Sequence, residues 1–221
     1  MRSLPFTAEV FLSLFEEYNR AIWPAQVLAY GLGIAAVLLA LRPLAGGRRI
    51  VAAILSAFWL WNGVAYHLIY FASINFAAVG FGMLFVLQGL LFAASAARGQ
   101  PAFRFDADLS GWSGLCLAVF AMGLYPLLGV LAGHGWPQAA VFGVAPCPTV
   151  IFTFGMLLMT EGRAPLHLVL MPFLWSLIGA SAVLLLGMTE DFSLLLAGVA
   201  GLGLILWKNR AQSPRAERYA P

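Results

Sequence analysis

Charge is what this chain of 221 residues has least of: only 10% of its residues are charged, while 62% are hydrophobic. A soluble domain carries roughly a quarter of its residues as Asp, Glu, Lys or Arg, so water is excluded as the main solvent and an integral membrane protein is implied. Cysteine is also scarce. The two present, Cys116 and Cys147, fall in separate apolar runs, which excludes a disulfide framework and makes each thiol by default a small buried side chain. Also missing are the G-x-S-x-G, H-E-x-x-H and Walker sequences, and no helix carries the paired acids of a membrane hydrolase. The chain is therefore expected not to be an enzyme, with no cofactor and no resident metal. Its last apolar run has no interior lysine, which argues against a retinal Schiff base. The GLG and GFG fragments read as helix-packing glycines rather than dinucleotide loops.

What is present is a series of long apolar runs. About 20 apolar residues cross a hydrocarbon core of ~30 Å, and such runs occupy 22–41, 49–71, 76–97, 111–132, 138–160, 165–187 and 191–207. The expected fold is all-α: seven transmembrane helices. The connections after the first, third and fifth runs, together with the tail, hold Arg42, Arg48, Arg49, Arg98, Arg104, Arg163, Lys208, Arg210, Arg215 and Arg218. The other side holds only Arg2 and Arg20. This bias predicts a cytoplasmic C-terminus and an outside N-terminus, and it explains the net charge of +3 without nucleic acid. Trp23 and Trp136 at outer ends, and Trp112 and Trp207 at inner ends, read as interfacial belts.

Residues 1–21 read as an amphipathic helix on the outer membrane surface rather than a signal peptide. Thr7 is placed to cap it, and Val10, Phe11, Leu14 and Phe15 recur opposite Glu9, Glu16 and Glu17. Residues 22–207 form the seven-helix domain, and 208–221 a disordered cytoplasmic tail. At the ends of the last span, Glu190 and Asp191 are expected to reach the interface and Lys208 to snorkel.

The chain also resembles itself. WPAQVLAYG at 23–31 matches WPQAAVFG at 136–143, FWLW at 58–61 matches PFLW at 172–175, and NF at 75–76 matches DF at 191–192. Gly82 and Gly198 keep nearly the same offset. The pairing relates the first three helices to the last three across a linking fourth, a 3+1+3 parallel repeat found among secondary transporters and also proposed for seven-helix receptors.

Polar groups inside a span are functional candidates, because each needs a partner or a wet cavity. Asn62, Tyr66 and Tyr70 recur at helical spacing in the second run beside Trp59 and His67, either as a site or as packing hydrogen bonds. In GVAPCPTVIF, Pro146 and Pro148 are expected to break the fifth helix and free carbonyls of residues 139–144 for ions, water, a solute, Thr149 or Thr153. Between them Cys147 reads three ways: packing at a kink, a solute-site wall, or metal or redox chemistry, the last without a second Cys nearby. His67, His134 and His167 form no metal triad. A proton-sensitive pair of His67 with Glu190 or Asp191 is one reading and a solvated contact the other, and Gln88 and Ser176 are placed to line a path.

LPFT, YNRAIWPAQ and APCPTVIFTFG together resemble an uncharacterised family of bacterial multi-pass membrane proteins across nearly the whole chain. The resemblance implies a bacterial inner-membrane protein and supplies no activity. The residues themselves point to a small-solute or ion permease, with a substrate-binding site of Gln26, Asn62, Tyr66, His67, Cys147, Thr149 and Ser176 between the first, second, fifth and sixth helices. The alternatives are a membrane sensor or accessory subunit, and a metal- or haem-binding enzyme using His67 and Cys147. Expected partners are the lipid bilayer and a small solute or ion, but no nucleic acid. Association between copies is left open.

Overall fold

The computed structural model describes residues 5–212. The chain is an all-α polytopic membrane protein. Its described helices are α1 (Ala8–Ala21), α2 (Ala25–Leu41), α3 (Gly47–Ser73), α4 (Ala78–Arg98), α5 (Leu109–Leu131), α6 (Pro146–Leu158), α7 (Leu166–Leu186) and α8 (Thr189–Ala211). Five of them, α3, α4, α5, α7 and α8, are long and apolar enough to cross a bilayer, and α1 with α2 makes a sixth if that bent pair is one span.

The helix α1 starts where Thr7 accepts a 3.3 Å hydrogen bond from the Val10 amide. It buries Leu14, Phe15, Tyr18 and Asn19 and leaves Glu9 and Glu17 in the open, so the amphipathic face expected from the sequence is turned onto the bundle. The chain then bends by 84° into α2. Gln26 ties the corner, donating to the Asn19 carbonyl at 2.9 Å.

The helices α3 and α4 cross closely. A Cβ built on Gly63 would lie 2.9 Å from the Val86 backbone nitrogen, and one on Gly82 would lie 3.0 Å from the Gly63 carbonyl oxygen, so neither position has room for a side chain. At this crossing α3 widens into π-helix over Asn62–Tyr70. Two of its own side chains bond to ladder carbonyls there: Asn62 Nδ2 to the Phe58 oxygen at 2.8 Å, and His67 Nδ1 to the Asn62 oxygen at 2.8 Å.

The largest departure from expectation is the fifth span. A continuous helix over 138–160 does not form; only Pro146–Leu158 is helical, and residues 132–145 descend as turns and irregular backbone. Pro146 and Pro148 therefore do not break a helix but begin one. They occupy its first and third positions, where the amide hydrogens have no intrahelical acceptor and proline loses nothing. Every residue of α6 except the partly buried Cys147 is buried, and α6 packs against α3, α5, α7 and α8 at the centre of the molecule.

Lys208 also departs from expectation. Instead of snorkelling it is buried, because its ammonium reaches the end of α6, donating to the Leu158 oxygen at 2.8 Å and to the Thr160 oxygen. These are carbonyls that the terminus of α6 leaves free, where a cation is favourable. The helix α8 continues to Ala211, so the start of the expected tail is helical, and residues 213–221 lie outside the described residues.

Prolines inside the other spans share one pattern. Pro126 in α5 and Pro172 in α7 have no N–H for the carbonyls four residues earlier, Met122 and Leu168. Tyr30 of α2 donates to the Met122 oxygen at 2.9 Å, and Gln88 of α4 donates to the Leu168 oxygen at 3.0 Å. Gln88, a candidate path-lining residue, thus meets a proline-freed carbonyl.

This packing predicts two outcomes. Gln88→Leu should destabilise the protein by about 1–3 kcal/mol by stranding the Leu168 carbonyl, and adding Pro172→Ala should recover most of that loss, read as detergent-solution Tm values. Gly82→Ile should cost about 1–3 kcal/mol or more through overpacking, measured as a lowered Tm; an unchanged Tm would refute the close crossing.

Candidate functional site

The irregular segment before α6 leaves backbone carbonyls without a helical ladder, and buried carbonyls need partners. Side chains from two other elements meet them. Asn19 Nδ2 donates to the Pro137 and Ala139 oxygens at 2.7 and 2.8 Å, the Tyr18 hydroxyl donates to the Val144 oxygen at 2.7 Å, and Asn62 Nδ2 donates to the Gly143 oxygen at 3.1 Å. Trp61 Nε1 in turn donates to the Tyr18 hydroxyl at 2.8 Å. Helix α1 is thereby sewn to the irregular segment before α6.

Beside this segment lies a cavity of about 330 Å³, at the end of the molecule away from the basic connections. Phe11 and Phe15 of α1 cover it, Tyr66, Phe71, Phe81 and Trp175 line its walls, and Tyr125, Cys147, Glu190 and Asp191 form a polar pole. The lining is otherwise mostly apolar.

The pole is assembled by the starts of α6 and α8 and by the body of α5. Cys147 is the second residue of α6 and, with a proline on either side, carries the one amide hydrogen among its first three residues, at the positive end of the helix dipole. Asp191 and Glu190 lie in the first turn of α8, and both are buried, at 5% and 9% exposure. The Tyr125 hydroxyl donates to Asp191 Oδ1 at 2.6 Å, and the Cys147 thiol lies beside the same carboxylate. His134 Nδ1 bonds to Glu190 Oε1 at 3.0 Å, while Glu190 Oε2 is buried without a hydrogen-bond partner.

The seven residues expected to form a substrate site separate into two groups. Tyr66 and Cys147 line the cavity. The others are engaged in the scaffold: Gln26 at the α1–α2 corner, Asn62 on Phe58 and Gly143, Thr149 donating to the Ala145 oxygen at 2.7 Å, and Ser176 donating to the Phe173 oxygen at 2.7 Å. The His67 Nδ1 hydrogen is held by the Asn62 carbonyl, and the ring packs 4.5 Å from Phe85 and 5.0 Å from Trp175, measured between centroids. His67 is therefore not the partner of the acids at the start of α8; His134 is. Thr153 accepts from Trp59 Nε1 at 2.9 Å, another packing bond.

Sequence reasoning missed Tyr125, and it assigned Glu190 and Asp191 to the interface. The signal available was TED directly before an apolar run; inside the fold Asp191 meets a phenol 66 residues away and Glu190 an imidazole 56 residues away. Tyr18 and Asn19 were likewise visible only as the polar end of an amphipathic helix.

A family model matches residues 8–216, and the chain belongs to that family, DUF6064, a family of unknown function. No curated protein and no solved structure matches the chain.

Proposed function

Starting from membership of a family without an assigned activity, we propose that this protein is a small-solute permease of the bacterial inner membrane. The observation that carries this reading is the half-length α6, whose N-terminus opens on a cavity lined from both triple-helix units, α2–α4 and α6–α8. Transporters build midplane sites at such discontinuous helices. Counting the descending segment with α6 as one crossing gives seven, with the N-terminus outside and the basic end in the cytoplasm.

The internal repeat supports the same reading. Gly82 of α4 meets α3 at Gly63, and Gly198 of α8 meets α7 at Ser176, so closely that a Cβ on Gly198 would overlap the Ser176 side chain. Trp23 and Trp136, the first residues of the two matched segments, touch with ring centroids 6.1 Å apart. Rocking of the two triple-helix units about α5 would expose the cavity to each side in turn. In the present conformation Phe58, Trp59, Phe85, Phe142 and Phe152, all buried, pack the centre of the bundle.

That packed layer favours a second reading, a sensor or accessory subunit that binds a ligand and moves nothing. Counterflow separates the two. Protein in liposomes should exchange the small molecule that co-purifies with it, identified by mass spectrometry, faster than protein-free liposomes do. Tyr66→Ala should slow that exchange about tenfold through lost aromatic contact. Exchange equal to that of empty liposomes would overturn the permease and, with binding retained, leave the sensor.

A further inference from the structure

Most polar side chains inside this bundle have a structural occupation. Tyr18, Asn19, Tyr30, Asn62 and Gln88 hold carbonyls that irregular backbone or proline has freed. The acids at the start of α8 serve no carbonyl. Asp191 receives its hydrogen bond from a phenol and Glu190 from an imidazole, neither from a lysine or an arginine. Buried carboxylates without a Lys or Arg partner are costly in a low-dielectric setting, and in membrane proteins such groups mark pathways and ligand counter-ions. Glu190 lines the cavity, is about nine-tenths buried, and keeps Oε2 without a partner.

The rest of the cavity narrows the ligand. An anion would meet the positive end of α6, worth roughly half an elementary charge, but two carboxylates outweigh it. A bare metal ion would need several oxygen, nitrogen or sulfur ligands; among the described residues no group of three or more His, Cys, Asp and Glu could hold one. A purely apolar guest leaves the acids unanswered. Aromatic walls facing an acidic pole instead match a positive charge on an apolar body, since ring faces attract organic cations. A volume of about 330 Å³ suits a compact organic molecule.

We propose that the cavity binds an organic cation, a protonated amine or quaternary ammonium, with Glu190 and Asp191 as counter-ions and Tyr66, Phe71, Phe81 and Trp175 around its apolar part. This rests on the cavity being the ligand site of the proposed function, but not on any movement across the membrane.

The test uses the full chain in detergent and three probes of similar shape: benzyltrimethylammonium, neutral N-benzylacetamide and anionic phenylacetate. By calorimetry the cation should bind at least about tenfold tighter than either other probe, and it alone should raise the Tm. Glu190→Gln, which leaves the Tyr125–Asp191 bond in place, should weaken cation binding at least about tenfold. Ala182→Trp, which fills the cavity from α7, should abolish it. Equal affinity for cation and neutral probe, unchanged affinity in folded Glu190→Gln, or cation affinity weaker than about 10 mM would each overturn the proposal. Cation binding without counterflow would remove the permease and leave this inference standing. Counterflow of a neutral or anionic solute without cation binding would do the reverse.

Discussion

Inside a bilayer a carbonyl without a partner has no water to turn to, and this chain makes such carbonyls at several depths. Pro126 frees Met122, Pro172 frees Leu168, and the irregular segment before α6 bares Pro137, Ala139, Gly143 and Val144. Each finds a side-chain donor from another element. Because Tyr18 and Asn19 supply three of these bonds, α1 is a structural part of the bundle, and it covers the cavity. The need to satisfy backbone thus fixes where the polar residues point and where the site's roof sits.

Helix α6 is the clearest product of that need. Its 13 residues span only about 20 Å, less than a bilayer core. One neighbour, α8, serves both of its ends: Asp191 stands beside Cys147 at the N-terminus, and Lys208 binds the carbonyls at and just beyond the C-terminus. Negative charge at a helix N-terminus and positive charge at its C-terminus both stabilise the helix dipole. The same arrangement that seats α6 carries an acid into the cavity.

How much of this was legible differs from element to element. The apolar runs, the capped amphipathic helix with Thr7 at its start, and the importance of the stretch around Pro146 and Pro148 could be read directly, since each depends on local composition or spacing. The direction of the proline effect could not. A proline terminates the helix on its N-terminal side and also suits the first turn of a helix on its C-terminal side, and only the neighbours of residues 137–145 select between the two. Asn62, Gln88 and Ser176 were visible as polar groups in apolar surroundings, but a buried amide serving a backbone carbonyl and one serving a solute have the same sequence signature. Lys208 and Asp191, placed at the interface by their position at the ends of a run, were drawn inward by the ends of another helix.

By itself the sequence determined that this protein lives in a membrane, how its apolar runs divide the chain, and which end is basic, because hydropathy and charge act locally along the chain. Only the tertiary structure decided which carbonyls lack a ladder partner, which side chains meet them, and which acids remain over to face a cavity. Those outcomes depend on contacts between residues as far apart as Asn19 and Pro137, or Tyr125 and Asp191, and no period or spacing along the chain records such pairings.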